Sequence, residues 1–237
     1  MTQIPLYFLP GTQCDNALWQ KVFERLSPRF KAIALAIPRG KDLPSIVEKL
    51  HKELPAGQLN LIGFSLGGYV ASLFATTYPQ QINQLLIIAN APKALPLTEV
   101  QTRRQTLDYI KHHGYNGMPK ARVRQMLSPV NHQTHEIVDI MLQMDKRGGE
   151  SMLVSQLSGT TQRADLLGPL NQQPFPTKFV VGEHDNLVNI NELKRSLLSD
   201  QLSIEQLENC GHMSPLESPQ AVAHIIEQYF RTDSGIA

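Results

Sequence analysis

Leu59-Asn60-Leu61-Ile62-Gly63-Phe64-Ser65-Leu66-Gly67-Gly68-Tyr69-Val70 runs from a short apolar stretch, through a serine flanked by glycines, into a segment of helical length. The pattern is Gly-x-Ser-x-Gly, and its context decides how it is read: a strand before it and a helix after it. A serine lifted onto so sharp a turn has strained φ/ψ. Strand and helix approach so closely there that the positions two residues either side have almost no room for a side chain. Gly63 and Gly67 meet that requirement. The plainer alternative is a turn serine acting as a helix N-cap.

Outward from this turn the chain alternates. Short apolar runs lie at Leu6–Leu9, Ala32–Ile37, Leu59–Phe64, Leu85–Ala89, Phe179–Val181 and Leu202–Leu207, and all but the last are near-continuous, as parallel strands covered on both faces are. Helix-length segments separate them: Asp15–Leu26 stopped by Ser27-Pro28, Pro44–Leu54 stopped by Pro55, Leu66–Tyr78 stopped by Pro79, then Asn189–Leu198 and Pro219–Phe230. Strands alternating with such helices predict βαβ units and a doubly covered, mostly parallel six-stranded α/β sheet. One stretch departs from the rhythm. Residues 92–176 are far longer than a crossover needs and carry helical patterns without a convincing strand, so they are expected to form an inserted helical lid on a core of residues 1–91 and 177–237.

Two further sites end strands. Gly182-Glu183-His184-Asp185 follows the Phe179–Val181 run, and Asn209-Cys210-Gly211-His212 follows the run ending at Leu207. Both fall where open α/β sheets carry their chemistry, just past the carboxyl ends of strands. A serine hydroxyl is a weak nucleophile at neutral pH and needs a base within hydrogen-bond reach, a role for His212; Asp185 is then the group that orients the imidazole. Glu183 is the alternative acid, and an Asx-turn to Leu187 is the alternative role for Asp185. An oxyanion formed by attack at Ser65 calls for preorganised N–H donors. The Leu66 N–H, next after the serine, and the Thr12 N–H, in the loop after the first strand, are the candidates.

These pieces together resemble the α/β-hydrolase superfamily: Phe8-Leu9-Pro10-Gly11-Thr12 with Trp19 eight residues after the glycine, the turn at Ser65, Gly182–Asp185, and Gly211-His212 followed by Pro215-Leu216-Glu217-x-Pro219. The order Ser65, Asp185, His212 is the order of that architecture. Pro10 stands where the family often has histidine, so the loop exchanges side-chain hydrogen bonds for the stiffness of a fixed φ. Among members with a compact core and a helical lid, the chain is similar to small microbial carboxylesterases, including those acting on the methyl ester of pimeloyl acyl carrier protein. The resemblance implies a cofactor-free serine carboxylesterase, with Trp19 and Phe64 beside the substrate. It also leaves two rivals: a carbon–carbon hydrolase or lyase using the same three residues, and a ligand-binding module without turnover.

Composition trims the other classes. The chain has 237 residues, 41% hydrophobic, with a net charge of +1 and two cysteines, which excludes a disordered chain and a disulfide scaffold. The near-neutral total hides an uneven distribution. Residues 103–124 carry Arg103, Arg104, Lys111, Lys120, Arg122 and Arg124 against Asp108 alone, a local balance of +5 on a remainder of −4. A basic mouth of this kind suits an acidic partner such as acyl carrier protein, with Arg103, Arg104, Arg122 and Arg124 as contacts; its size and lack of interleaved aromatics argue against nucleic acid.

The uncharged stretch from Leu54 to Pro92 is punctuated by Pro55, Gly57, Gly63, Gly67, Gly68 and Pro79, which excludes a membrane span. The first ten residues have no basic region ahead of their apolar run and read as a strand, which predicts a cytoplasmic protein with Cys14 and Cys210 reduced. His112-His113 and His132-x-x-His135 have no completing ligands nearby, so no metal is expected. Five of seven methionines (Met118, Met126, Met141, Met144, Met152) fall in the lid, suited either to helix core or to a flexible apolar wall for an acyl chain.

Overall fold

The computed structural model describes residues 3–231. Its centre is a six-stranded, wholly parallel sheet: β1 (Ile4–Leu9), β2 (Phe30–Ala34), β3 (Leu59–Phe64), β4 (Ile82–Ile88), β5 (Thr177–Gly182) and β6 (Leu202–Leu207). The spatial order is β2-β1-β3-β4-β5-β6. The chain therefore turns outward from β1 to β2, then crosses back over β1 to β3. That reversal opens a crevice at the carboxyl ends of β1 and β3, where Gly11-Thr12 and Ser65 sit.

Successive residues of a strand point to opposite faces, and here both faces are covered. Leu6 and Phe8 of β1, Ile62 and Phe64 of β3, Leu86 and Ile88 of β4 and Val180 of β5 join one apolar layer; Tyr7, Leu9, Leu61, Leu85, Ile87, Phe179 and Val181 join the other. This is why these strands read as continuous apolar runs. β6, at the sheet edge, is half exposed and alternates.

Ten α-helices surround the sheet among the described residues: α1 (Gln20–Phe23), α2 (Leu43–Glu53), α3 (Leu66–Thr77), α4 (Leu97–His113), α5 (Lys120–Met126), α6 (His135–Thr160), α7 (Leu167–Asn171), α8 (Ile190–Ser196), α9 (Ser214–Glu217) and α10 (Pro219–Tyr229). The start of α2 shows how the sequence sets a boundary. Asp42 accepts from the Ser45 N–H at 2.9 Å, Ser45 Oγ accepts from the Asp42 N–H at 3.3 Å, and Pro44 occupies the first turn, where its missing N–H costs nothing. The segment expected to be one helix over Asp15–Leu26 is instead a 3₁₀ turn (Asn16–Leu18) and a single α turn, because Asp15 caps the first by accepting from the Ala17 N–H and the chain then winds around Trp19. β2 begins and ends earlier than expected; its ladder with β1 runs from Phe30 opposite Ile4 to Ala34 opposite Phe8.

Between β4 and β5 lie α4 to α7 and a 3₁₀ turn (Pro129–Asn131), with no strand among the described residues. The stem of this insertion closes where the Leu166 N–H donates to the Pro92 carbonyl at 2.9 Å. Beyond it, Leu167, Leu170 and Phe175 pack into the layer of α2 and α3. The returning segment 166–176 is thus part of the core packing. Of the lid methionines, Met126, Met141 and Met144 are buried in the opposite layer, alongside Trp19 and Leu18. No helix among the described residues is long and apolar enough to cross a membrane.

Candidate active site

Ser65 sits between β3 and α3 with φ 49° and ψ −115°, a left-handed conformation that costs a non-glycine residue roughly 1–3 kcal/mol. The surroundings hold it there. The Ser65 N–H donates to the Ile88 carbonyl at 2.9 Å, anchoring the turn to the end of β4. A β-carbon on Gly63 would run into the backbone of Gly67 and Gly68, and one on Gly67 into the carbonyls of Leu9 and Pro10. Both glycines are required by this crowding, as the sequence pattern implied. Ser65 Oγ makes no N-cap bond to α3.

The hydroxyl instead lies 2.9 Å from His212 Nε2, and His212 Nδ1 lies 2.9 Å from Asp185 Oδ2. Residues 65, 185 and 212, far apart in the chain, thereby form one hydrogen-bonded line. Asp185 does two things at once: its other oxygen accepts from the Leu187 N–H at 2.8 Å, so the Asx-turn and the contact to histidine coexist and the carboxylate cannot rotate. Both His212 and Asp185 are buried. Glu183 is not in the line; its carboxylate accepts from the Asn209 N–H at 2.9 Å.

The backbone N–H groups of Leu66, next after Ser65, and of Thr12, in the loop after β1, have no acceptor within the described residues. The close approach of the two loops again depends on glycine: a β-carbon on Gly11 would come within 2.9 Å of the Phe64 ring and 3.3 Å of Ser65 Cβ.

Trp19 and Phe64, expected beside the substrate, are both buried. Trp19 is 0% and Phe64 1% exposed. Trp19 packs edge-on against Phe8 and Phe64, with ring centroids 5.1 and 6.3 Å apart, and Phe64 lies 5.3 Å from the His212 ring. Phe64 thus lies beside the imidazole, and Trp19 packs behind Phe64 in the same apolar layer. Arg103 differs from its basic neighbours. Its side chain is 13% exposed and its Nε donates to Glu99 at 2.9 Å, whereas Arg104, Lys111, Lys120, Arg122 and Arg124 are exposed.

A residue given no role by its sequence position holds the histidine loop. The Glu217 carboxylate accepts from the N–H groups of Gly211 (3.1 Å), Met213 (3.1 Å) and Ser128 (2.7 Å) and from Asn131 Nδ2 (3.0 Å). It binds the backbone on both sides of His212 to the lid. The Met126 carbonyl adds to this by accepting from the His212 N–H at 2.8 Å. Pro215-Leu216-Glu217 was visible as a motif; the converging donors were not, since two of them come from residues 128 and 131.

Cys14 and Cys210 are free and buried. Burial pushes each thiol up to about 12 from an ordinary value of 9.0. Because the folded values are raised, the stabilising preference for the neutral thiol is present below pH 9 and is lost between pH 9 and 12. Native protein at pH 8 is therefore expected to resist a thiol-specific colorimetric reagent and to release two equivalents only in denaturant. Rapid labelling of either cysteine in the native state would contradict the burial described here. Among the described residues no three His, Cys, Asp or Glu side chains converge as a metal site would require.

Comparison with known proteins places this geometry. The profile of a family described as "alpha/beta hydrolase fold" matches residues 38–219, a span that includes Ser65, Asp185 and His212. The chain is 23% identical over 243 residues to 2-succinyl-6-hydroxy-2,4-cyclohexadiene-1-carboxylate synthase of Enterobacter sp. (strain 638), covering 95% of this chain and 91% of that protein. It is 31% identical over 96 residues to a pimeloyl-[acyl-carrier protein] methyl ester esterase of Vibrio campbellii (strain ATCC BAA-1116), covering 37% of each. Among solved structures, a thermophilic esterase from Thermogutta terrifontis superimposes with a TM-score of 0.83 at 21% identity over 97% of this chain and 90% of that one. With the family profile matched over most of its length and the sheet order and serine turn of that fold, the chain belongs to the α/β-hydrolase fold family.

Proposed function

We propose that the protein is a serine carboxylesterase that works through an acyl-enzyme. The observation that carries this reading is the unbroken hydrogen-bonded line from Ser65 Oγ through His212 to Asp185. Ser65 Oγ attacks the ester carbonyl while His212 Nε2 takes its proton, and Asp185 keeps the remaining imidazole proton on Nδ1 and stabilises the imidazolium. The carbonyl oxygen, now an anion, accepts from the Leu66 and Thr12 N–H groups. Collapse expels the alcohol, to which His212 returns the proton. Water then attacks the acyl-enzyme with His212 again as base, releasing the acid and restoring Ser65.

The substrate in this reading is a medium-length acyl ester entering between lid and core, and the buried methionines of α5 and α6 supply an adaptable apolar wall. The finer proposal is that the acyl group arrives on acyl carrier protein. It is supported by the exposed Arg104, Lys111, Lys120, Arg122 and Arg124 of α4 and α5, none of which has an ion-pair partner among the described residues, and by the similarity to the Vibrio esterase. Such a patch raises the encounter rate with an acidic partner and is weakened by salt.

The test compares p-nitrophenyl esters of two to twelve carbons with a methyl ester carried on acyl carrier protein. Wild type is expected to show an optimum at intermediate chain length. Arg122→Glu combined with Arg124→Glu is expected to lower kcat/KM on the carrier-bound ester by about tenfold or more and to leave the synthetic esters within about twofold. Equal losses on both substrates, or none on either, overturn the carrier proposal. Absence of turnover at every chain length overturns the esterase and favours elimination or carbon–carbon cleavage by the same residues.

A further inference from the structure

Thr12 carries one of the two free N–H groups beside Ser65, yet nothing in the sheet holds the backbone that follows it. Gln13 does so from the other side. Its φ is 56°, a conformation glycine takes freely and other residues seldom take, and its side chain is 3% exposed. Its backbone N–H donates to Gln156 Oε1 at 2.9 Å, and its side-chain Nε2 donates to Asp145 Oδ1 at 3.2 Å and to the Gly149 carbonyl at 3.0 Å. All three acceptors belong to α6, in the insertion, at sequence separations of 132 to 143 residues.

The lid is shaped around this contact. α6 is broken at Gly149, where φ is 62°, which frees that carbonyl from the helical ladder so that it accepts from Gln13. A β-carbon on Gly148 would stand 2.6 Å from Gln13 Oε1. Asp145 is 2% exposed, and no Lys or Arg among the described residues lies within ion-pair distance of it. Its carboxylate is satisfied by Gln13 Nε2, by the Met118 N–H at 2.8 Å and by the Tyr115 hydroxyl. Burial, followed by the Asp145 contact, holds the Tyr115 phenol above its ordinary range, so it stays a donor. A buried carboxylate with neutral donors only is expensive, and its surroundings are correspondingly specific about which groups face it.

We infer that Gln13 and Asp145 are positioning residues through which the seated lid sets the oxyanion site: α6 holds Gln13 in its left-handed conformation, and that conformation aims the Thr12 N–H. The inference rests on the esterase reading for its chemistry, although the mechanical coupling stands apart from it. When α6 lifts, Gln13 loses these three partners at once, and the turn keeps only its own bond from the Cys14 N–H to the Gly11 carbonyl at 3.2 Å. The Thr12 donor is therefore fully aimed only when the lid is seated.

Hydrogen–deuterium exchange on the wild-type protein tests the coupling whether or not any ester is turned over. The Gln13 amide, which donates to Gln156, is expected to exchange at the same opening-limited rate as the Met118 amide, which donates to Asp145, because one opening event exposes both. Exchange of the Gln13 amide independently of the Met118 amide overturns the inference. Kinetics test the chemistry, with rates normalised to titrated active sites. Gln13→Ala and Asp145→Asn are each expected to lower kcat by about 10- to 100-fold with KM within about threefold, less than complete removal of a donor, which costs about 10²–10³-fold. The double variant is expected to be no worse than the poorer single one, since both act through one contact. Affinity for a trifluoromethyl ketone, whose adduct with Ser65 carries an oxyanion, is expected to fall in proportion to kcat/KM. Unchanged ketone affinity, or losses that vanish on active-site normalisation, reduce these residues to struts and overturn the role assigned. If wild type turns over no ester while exchange is concerted, the esterase reading fails and the lid coupling survives.

Discussion

Ser65→Ala is expected to lower kcat on p-nitrophenyl esters by about 10⁴-fold or more, with little change in KM. The variant removes the only atom that forms the acyl bond and leaves everything else. Alanine keeps the β-carbon that already fits among Gly11, Gly63 and Gly67, and it inherits the same φ of 49°, so the turn is neither relieved nor further strained. The melting temperature is therefore expected to stay within a few degrees of wild type, since only the partly exposed contact to His212 is lost. Residual rate above water comes from the Leu66 and Thr12 donors and from binding. Retention of a tenth or more of the activity in a purified, folded variant rules out Ser65 as the nucleophile.

Asp185→Asn is expected to cost about 10⁴-fold in kcat, almost as much, for a subtler reason. One oxygen of Asp185 accepts from the Leu187 N–H and the other faces His212 Nδ1. Asparagine has a single side-chain oxygen, and the Asx-turn claims it. Its NH₂ group then faces Nδ1 and drives the imidazole proton to Nε2, which leaves no lone pair to take the proton of Ser65. Because the turn is preserved, the fold survives and the loss appears in the rate. Glu183→Gln is the control: among the described residues its carboxylate meets the Asn209 N–H and the half-buried His184, and its kcat is expected within about threefold of wild type. The reverse ranking of the two variants would make Glu183 the acid and overturn the assignment. Nδ1 proton resonances of His212 in the two variants separate a tautomer change from a displacement of the ring.

The legible parts of this protein are those whose cause lies within a few residues. The turn at Ser65 needs glycine two positions away on each side because a strand and the helix it feeds collide locally, and both glycines are visible in twelve residues of sequence. Five of the six strands were legible through their apolar continuity, which follows from both faces of the sheet being covered; their ends shifted because backbone pairing and not apolarity bounds a strand, as the Phe30–Ala34 ladder of β2 on β1 shows. Asp185 and His212 were found because each trails a strand, and a parallel sheet delivers all its carboxyl ends to one side.

Residues whose surroundings depend on a distant partner were not legible. Trp19 lies in the segment expected to be a single helix, and its burial beneath Phe8 and Phe64 follows from the chain winding around it. Arg103 counted toward a basic surface until its contact with Glu99 and its burial against the insertion turned it inward. Nothing local marks Gln13, whose partners lie more than 130 residues away, or Glu217, which gathers backbone donors from the histidine loop and the lid.

The amino-acid sequence alone determined the sheet, the strained serine and the order of the three residues in line with it, because strand periodicity and steric crowding act over short chain distances. Tertiary structure alone decided which aromatic ring lies beside the imidazole, which arginine turned inward, and how α6 grips the loop behind Thr12. Those outcomes depend on burying polar groups against partners that only the folded chain brings within 3 Å, and a buried donor without such a partner would carry its full desolvation cost.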